Sequence, residues 1–489
     1  KMLPFDNKSE LQIVVDMPEY TPMERTQQVL LTMGEYLETV DEVAHWQAYA
    51  GTASPMNFNG LVRQYYLRAD PYQGDIQINL AEESRRERQS HEIATAIRPA
   101  LQAIGERFDA AVKVVEVPPG PPVLSPLVAE VYAVDHRRRA ELARDLAERM
   151  ASIEGLVDID TTLTAPTRQW DLVVDRARAA RLGVSQAQVV ETIQTALGER
   201  NLGYLHDEHA KYAVPIRVIL EEGDKAQQAA LLSLAVRSRG GELVPLASIA
   251  EFREPAWQGA RYHKDLLPVT YVTADMAGQI DSPLYGMFAL VSELNDEPES
   301  PAQYFIRQPP LAELGALKWD GEWQITYETF RDMGAAYSVG VFMIFLLLVA
   351  QFRSYVLPLV IMAPIPLTLI GILPGHALLG REFTATSMIG MIALAGIIVR
   401  NSILLVVFIR QLLDEGVALE EAVVLAGAVR IKPIALTAIS AMVGAYFILS
   451  DPIFNGLAIS LIFGLAMSTL LTILVVPLLY YVLAQRGWI

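Results

Sequence analysis

Hydrophobic and charged residues are distributed differently in the two parts of the chain. Residues 1–332 carry charged side chains throughout, as ordinary globular domains do, whereas residues 333–489 are mostly apolar and confine their charges to short islands. The apolar part contains five segments, each long enough to cross a hydrocarbon core of about 30 Å. They span residues 333–352, 355–379, 383–409, 431–449 and 454–484. The pattern predicts a soluble part followed by an all-α bundle of five transmembrane helices.

Basic residues mark one set of ends of these segments. They are Arg353, Arg410, Arg430, Lys432 and Arg486. The opposite ends carry only Arg381. Because Lys and Arg are enriched on the cytoplasmic side of membranes, we expect the first set and the C-terminus in the cytoplasm. An odd number of spans then places residues 1–332 on the far side. Residues 414–429 are interpreted as an amphipathic helix on the cytoplasmic surface.

One apolar segment, "GIIVRNSILLVVFI" at 396–409, places Arg400 beside Asn401. Arg400 precedes Arg410 by ten residues, which is about 15 Å of helix and reaches the middle of the bilayer. An arginine there costs about 2.5–3.5 kcal/mol on the lenient insertion scale. No Asp or Glu lies within the five segments, so an anionic partner would have to come from another polypeptide segment. Thr437, about 10 Å in from the same side, could share this depth.

Two interpretations of Arg400 remain open. It can be the counter-ion of a carboxylate that carries a proton, because an arginine keeps its own proton and shifts the pKa of a neighbouring acid. Alternatively, Arg400, Asn401 and Ser402 can form hydrogen bonds that hold transmembrane helices together.

The soluble part is predicted to contain two α+β units of the ferredoxin-like, split βαβ type. In the first, strands are expected near 11–17, 43–49, 76–80 and 112–117, with helices at 22–38, capped by Thr21, and at 84–107. A Pro-rich linker follows at 117–126. In the second, strands near 128–134, 157–163, 170–175 and 268–274 accompany helices at 137–152 and 282–295. Residues 176–262 interrupt the second unit as an insertion, with a helix that begins after Ser185.

The loop at 49–68 combines small polar residues with Tyr49, Met56, Phe58 and Tyr65. Such a loop suits adaptable contact with apolar ligands. The same residues could instead pack onto their own domain.

Several function classes lack the residues they need. The net charge of −17, without any Lys/Arg-rich run, argues against nucleic-acid binding. No nucleotide-binding, zinc-protease or serine-hydrolase motif is present, and there are no cysteines. The segment "HDEH" at 206–209 is read as a solvated loop, and the methionines are scattered. We therefore predict no enzyme, no cofactor and no metal site, and a transport process driven by an ion gradient or an energised partner.

Five stretches in order along the chain resemble the C-terminal half of a resistance–nodulation–division (RND) efflux pump of the AcrB-like, hydrophobe/amphiphile exporter type. They are "DMPEYTPMERTQQVL" at 16–30, "RARAARLGVSQAQVVETI" at 176–193, "KWDGEWQITYETFRDM" at 318–333, the Arg400 segment, and "VRIKPIALTAIS" at 429–440.

The resemblance implies a domain plan. Residues 1–122 would be the first C-terminal porter subdomain. Residues 123–175 and 263–332 would form the second, and 176–262 a docking subdomain. Residues 333–489 would be transmembrane helices 8–12 of the family.

The resemblance also implies a function. Such pumps are proton-driven homotrimers of the Gram-negative inner membrane, which export hydrophobic or amphiphilic small molecules with a periplasmic adaptor and an outer-membrane channel. Arg400 matches the basic position of the proton relay with Asn401 beside it, and Arg430 and Thr437 match relay positions. The partner aspartates would belong to an N-terminal half, helices 1–7, that this sequence lacks. Two residues depart from the family pattern. Arg400 stands where the family usually has Lys, and Val407 stands where it often has Asp or Glu. A metal- or lipid-exporting RND pump and a non-transporting scaffold remain alternatives.

Overall fold

The computed structural model describes residues 2–117, 120, 122–166, 168–198, 200–225, 227–255, 259–277, 282–298, 300–310 and 315–489. These residues form two compact units. One comprises Lys1–Leu163 with Arg261–Ile489, and the other is Thr164–Ala260. Parts of the predicted Pro-rich linker, residues 118, 119 and 121, lie outside the described residues.

The first sheet is built from β1 (Glu10–Asp16), β2 (Val43–Ala50), β3 (Gln73–Leu80) and β4 (Ala111–Val115). Its order is β2-β3-β1-β4, and every neighbouring pair is antiparallel. Helices α1 (Met23–Leu37) and α3 (Ser90–Glu106) connect strands, and α2 (Phe58–Val62) lies in the loop after β2. Side chains of β1, β3 and the two long helices, among them Ile13, Ile76, Leu30 and Ile97, are fully buried between sheet and helices.

Two helix starts in this unit differ from the prediction. Pro22, not Thr21, is the N-cap of α1, and no side chain caps the helix there. The helix expected from residue 84 begins at Ser90. At its start the Glu92 carboxylate accepts a hydrogen bond of 2.8 Å from the backbone amide of Gln89. The apolar period of that helix starts only at Ile93, so the charged residues before it gain no burial from helix formation.

The second sheet contains β5 (Leu127–Tyr132), β6 (Leu156–Thr161), β13 (Tyr262–Lys264), β14 (Leu267–Met276), β15 (Ala302–Tyr304) and β16 (Ala316–Gly321). Helices α4 (His136–Ser152) and α9 (Pro283–Asn295) accompany it. The order is β13-β14-β5-β16-β15, and β6 also pairs with β14. The succession β6-β14-β5-β16 therefore repeats the order of the first sheet. Trp319, Met287 and Leu146 are fully buried or nearly so in its core.

The inserted unit begins earlier than predicted. Its elements are β7 (Asp171–Val174), α5 (Arg176–Arg181), α6 (Gln186–Leu197), β8 (Arg200–Leu205), β9 (Val214–Val218), α7 (Glu222–Lys225), α8 (Gln228–Ser233), β10 (Ala235–Arg237), β11 (Leu243–Pro245) and β12 (Ala250–Arg253). Strand β7, which the sequence predicts in the second α+β unit, pairs instead with β12, a strand of the insertion. The insertion thus runs from Thr164 to Ala260. Ser185 caps α6, as predicted: its hydroxyl oxygen accepts a hydrogen bond of 3.3 Å from the Gln188 backbone amide.

Five described helices are long and apolar enough to cross a membrane. They are α10 (Glu322–Phe352), the run from α11 (Val356–Met362) through α12 (Pro364–Leu367) to α13 (Leu369–Leu378), α14 (Ala385–Asp414), α15 (Leu419–Tyr446) and α16 (Asn455–Gln485). The separate amphipathic helix predicted at 414–429 is not present. Helix α14 continues to Asp414, a turn with Gly416 at φ 88° follows, and α15 begins at Leu419.

Glycines allow α13 to approach α16 closely. A Cβ on Gly371 would lie 2.5 Å from the Phe463 carbonyl oxygen, which is backbone and cannot swing aside. Gly371→Val is therefore expected to destabilise the helix bundle by about 1–3 kcal/mol through overpacking. The midpoint of thermal unfolding in detergent would measure this. Gly340→Val is the matched control, because a Cβ on Gly340 meets nothing within 4 Å; equal effects of the two substitutions would contradict the packing argument.

Candidate functional site

Arg400 lies in the middle of α14, on the side of that helix that the other described helices leave uncovered. It is exposed, as are Ile389, Leu404 and Val407 at helical spacing around it. Within the described residues Arg400 makes no ion pair and no hydrogen bond. The chain thus presents a permanent cation on an otherwise apolar helix face, in the middle of a helix that is long and apolar enough to cross a membrane.

Asn401 and Ser402 point away from Arg400, into the bundle. Asn401 is 8% exposed and Ser402 is fully buried. Adjacent helix positions are separated by about 100° around the axis, so one face carries the cation and the next carries the buried polar groups. Asn401 therefore belongs to the packing of α14 against its neighbours. The structure does not bring its amide to the face that carries Arg400.

The two residues predicted on α15 occupy different environments. Thr437 is exposed, and its hydroxyl donates to carbonyl oxygens of its own helix, Pro433 at 3.1 Å and Ile434 at 2.8 Å. The Arg430 guanidinium lies 4.7 Å from the ring centroid of Phe408 on α14, a cation–π contact that joins the two helices. Among the described residues, neither Thr437 nor Arg430 is hydrogen-bonded to Arg400.

The loop between β2 and β3 presents apolar side chains to the outside. Met56 is 67% and Phe58 43% exposed, and Leu61, Tyr66 and Leu67 are exposed as well. Tyr49 and Tyr65 are half-buried; the Tyr49 hydroxyl donates to Gln47 at 2.8 Å, and the Arg68 guanidinium lies 5.8 Å from the Tyr65 ring. Most of these side chains therefore do not pack onto their own domain.

Two arginines, which the sequence did not single out, connect this loop to the sheets through ion pairs. Arg63 donates to both carboxylate oxygens of Asp275 on β14, at 2.9 and 3.4 Å, and both side chains are largely buried. Arg68 binds Asp16 at 2.7 Å and Asp75 at 3.0 Å on the first sheet. Burial disfavours the charge on Arg63, but Asp275 outweighs it and raises the pKa of the guanidinium. The pattern "NGLVRQYYLR" holds both arginines, yet no sequence signal identified their distant acidic partners.

A groove of about 650 Å³ lies between α10 and the α11–α13 run, within the apolar helices. Tyr337, Phe345, Leu359, Met362 and Met391 are among the side chains that line it. Its lining is suited to hydrocarbon rather than to ions.

The described residues contain no group of three or more His, Cys, Asp or Glu side chains that could hold a metal ion. His206 and His209 are both exposed.

Comparison with known proteins gives concordant results. Residues 1–484 match the model of the AcrB/AcrD/AcrF family. The chain is 26% identical over 363 residues to the swarming motility protein SwrC of Bacillus subtilis, which covers 73% of this chain and 33% of that protein. It is 24% identical over 372 residues to the nickel and cobalt resistance protein CnrA of Cupriavidus metallidurans, covering 74% of this chain and 33% of the relative. The chain is 24% identical over 341 residues to the multidrug resistance protein MdtC of Serratia proteamaculans, and the alignment covers 68% of this chain and 31% of MdtC.

A crystal structure of a heavy metal efflux pump superimposes with a TM-score of 0.77 at 20% identity, covering 99% of this chain and 48% of that one. The likeness shows the fold, that of RND pumps, with β-rich porter-like domains and several apolar helices. The chain spans about a third of the length of these curated relatives and about half of this solved structure. Because the family model matches the chain almost from end to end, this protein belongs to the AcrB/AcrD/AcrF family of RND proteins.

Proposed function

We propose that this chain is the C-terminal half of a proton-driven RND transporter that exports hydrophobic or amphiphilic compounds. The observation that carries the proposal is Arg400, a mid-span cation that has no anion among the described residues. A charge in hydrocarbon without a partner is not tolerated. Its partner must come from another segment, and the uncovered face of α14 is where that segment would pack.

The missing partner suits a proton relay. In the proposed assembly, carboxylates of the N-terminal half, helices 1–7, lie against Arg400. Protonation neutralises them, weakens their attraction to Arg400 and shifts helices relative to each other. Arg400 keeps its own proton throughout. Asn401 would support the packing of α14, while Arg430 and Thr437 would act on α15. The chain would then be a secondary active transporter by proton antiport, without a cofactor, rather than an enzyme.

The domain assignment follows the strand order. We assign 1–122 to a first porter subdomain, 123–163 and 261–332 to a second, and 164–260 to a docking subdomain; the repeated order of the two sheets supports two ferredoxin-like units. Residues 333–489 would be the membrane domain. The basic helix ends favour a periplasmic soluble part and a cytoplasmic C-terminus in the inner membrane of a Gram-negative bacterium. A homotrimer, a periplasmic adaptor and an outer-membrane channel complete the proposed assembly.

Metal export is the second candidate, because the relatives and the solved structure include metal-resistance proteins. The described residues offer it no ligand cluster. The exposed Met56 and Phe58, together with the apolar groove in the membrane domain, favour hydrophobic compounds, including membrane lipid as a weaker alternative. A non-transporting scaffold would not need a cation at mid-membrane.

Replacing either Met56 or Phe58 by serine is expected to raise the apparent KM for export of a hydrophobic dye about tenfold. Each side chain that loses its apolar contact costs about 1.5 kcal/mol or more, and 1.4 kcal/mol corresponds to a factor of ten. The assay is dye export from cells without other pumps, with the complete pump present. Tyr285→Ser, at a 61% exposed residue on α9, is the control. Cobalt or nickel resistance conferred by the chain without any dye export would support metal export instead.

A further inference from the structure

In the described part of the chain, the two porter sheets meet at edge strands that do not pair through backbone hydrogen bonds. β4 is the last strand of the first sheet and β6 an edge strand of the second. These strands contact each other, yet among the described residues no ladder of backbone hydrogen bonds joins them. Side chains bridge them instead. We call this contact the seam. Opening it would break side-chain bonds and leave both sheets intact.

Among the described residues, three ion pairs cross the seam, and all have the same polarity. The first porter unit supplies Arg63, Arg98 and Lys113, and the second supplies their partners Asp275, Asp158 and Asp160. Arg98 also donates to the Val114 carbonyl on β4 at 2.9 Å, so it connects α3, β4 and β6. The charges are complementary across the contact, which fixes its register.

Asp158 has the most unusual backbone of the three acids. Its φ is 54°, in the left-handed region that few residues other than glycine, Asn and Asp adopt. The pairing of β6 with β14 shifts register at this point, between Thr273 and Asp275 on β14. This is a β-bulge, a feature that redirects a side chain. Here it accompanies a carboxylate that reaches Arg98 of the other unit, with a side chain that is only 2% exposed.

The hydrogen bonds of this carboxylate are incomplete. One oxygen of Asp158 accepts from Arg98, while its other oxygen, Oδ2, is buried without a hydrogen-bond partner in the described structure. The Nε atoms of Arg63 and Arg98 are buried and unpartnered too. A buried carboxylate with one unsatisfied oxygen is costly when ionised. A proton on that oxygen removes the charge and leaves the bond from Arg98 to the other oxygen in place.

We propose that Asp158 is a proton-binding residue in the soluble part of this protein, and that its protonation favours the closed seam between the two porter units. It would be a second protonation site, separate from the carboxylates expected beside Arg400. The inference goes beyond the proposed function, because it needs no assumption about which compound is exported.

The charges around Asp158 determine the sign of the effect. The groups that face it come from every element packed against it: Arg98 on α3, Asp275 on β14, Arg63 after α2, and, farther along the seam, Lys113 and Asp16 of the first sheet, Tyr65 and Asp160. Burial raises the pKa of the Asp158 carboxyl to about 6; Arg98 opposes this rise and Asp275 adds to it.

When the seam opens, water reaches the carboxyl and its pKa returns toward about 3.9. The closed form therefore binds the proton more tightly than the open form. Acidification from pH 7 to pH 5 should raise the ratio of closed to open seam about tenfold; the rise begins near pH 6 and continues toward about pH 4, where the open form also takes up the proton. Neutral pH loosens the seam, which is the opposite of what the simple loss of an Arg98–Asp158 ion pair would give.

The test is a distance measurement across the seam as a function of pH. The chain has no cysteine, so Ala103→Cys on α3 and Glu148→Cys on α4, both exposed, place spin labels on the two porter units. The labelled full chain, in the assembly in which it occurs in the membrane, would be examined by double electron–electron resonance from pH 7.5 to 4.5. The ratio of short-distance to long-distance populations is expected to grow about tenfold between pH 7 and pH 5.

Two variants separate proton binding from a merely structural role. Asn tolerates the left-handed backbone as Asp does, so Asp158→Asn should hold the seam closed at every pH. Arg98→Gln should move the onset of the pH dependence above pH 6, because it removes the cation that opposes the rise in the Asp158 pKa. Asp160→Asn, at a side chain 45% exposed, should keep the wild-type pH dependence.

A wild-type distance that does not change with pH would overturn the proposal. So would an unchanged pH dependence in Asp158→Asn. Should that variant fail to fold, an unchanged onset of the pH dependence in Arg98→Gln would overturn the proposal equally.

Discussion

Replacing Arg400 by alanine is expected to abolish proton-coupled export. Arg400 is the cation that we place opposite the carboxylates of the other half. Without it, burial alone acts on those carboxylates and raises their pKa. They would stay protonated at neutral pH, so the cycle would stop. Dye export by cells that produce this chain with its N-terminal half, and no other pump, measures the effect.

The controls for Arg400 distinguish charge from packing. Arg400→Lys keeps a cation and should retain a measurable fraction of export. Arg400→Met keeps the length and apolar stem of the side chain without its charge, and should behave like Arg400→Ala. Leu404→Ala lies one turn away on the same uncovered face and should preserve export. Full export in Arg400→Met would leave Arg400 with a role in helix packing alone.

Glu130→Ala is expected to cause the largest loss of stability in the soluble part. Glu130 is fully buried in β5, where it contacts Lys264 and lies 3.5 Å from Lys318. The Tyr132 hydroxyl donates to it at 2.7 Å. In the Glu130→Ala variant, Asp320 would be the only acid of this network facing the two lysines; it lies 2.7 Å from Lys264 and 3.3 Å from Lys318. Removing one partner of such a buried network costs about 3–5 kcal/mol.

A surface ion pair provides the comparison for Glu130. Glu293 is 42% exposed and lies 3.1 Å from Arg149, and pairs of this kind contribute about 0–1 kcal/mol. Denaturant unfolding followed by tryptophan fluorescence suits the comparison, because Trp319 is buried in this same sheet. A loss for Glu130→Ala no larger than that for Glu293→Ala would show that the buried network adds nothing to stability.

The sequence pattern predicted the elements that local chemistry specifies. Ser185 begins α6 because its hydroxyl and the Gln188 side chain satisfy the first turn, and both residues are visible in the sequence. The apolar segments likewise predicted the α11–α13 run and α16 within a few residues, whereas α10 begins at Glu322, eleven residues before its predicted segment, and α15 begins at Leu419. There the alternation of acids and apolar residues after Gly416 resembled a surface helix, while the same residues form the first turns of a continuous one.

Long-range pairing was outside the reach of the sequence. Strand β7 could not be assigned to the insertion, because its partner β12 lies far along the chain. The seam was missed for the same reason: Arg63 and Asp275 are 212 residues apart, and a single sequence contains no signal that joins them. Arg400 was identifiable because a charge in an apolar segment is conspicuous by itself. Its exposure on α14, and the inward turn of Asn401, needed the packed helices.

The most direct test of the account is proton flux through the purified assembly. This chain and its N-terminal half would be reconstituted in liposomes that contain a pH-sensitive dye, and a hydrophobic substrate would be added under a proton gradient. We expect substrate-dependent proton movement in the wild type, and none in Arg400→Ala at equal protein content. Substrate transport without proton movement, or proton movement that Arg400→Ala leaves unchanged, would contradict the role assigned to Arg400.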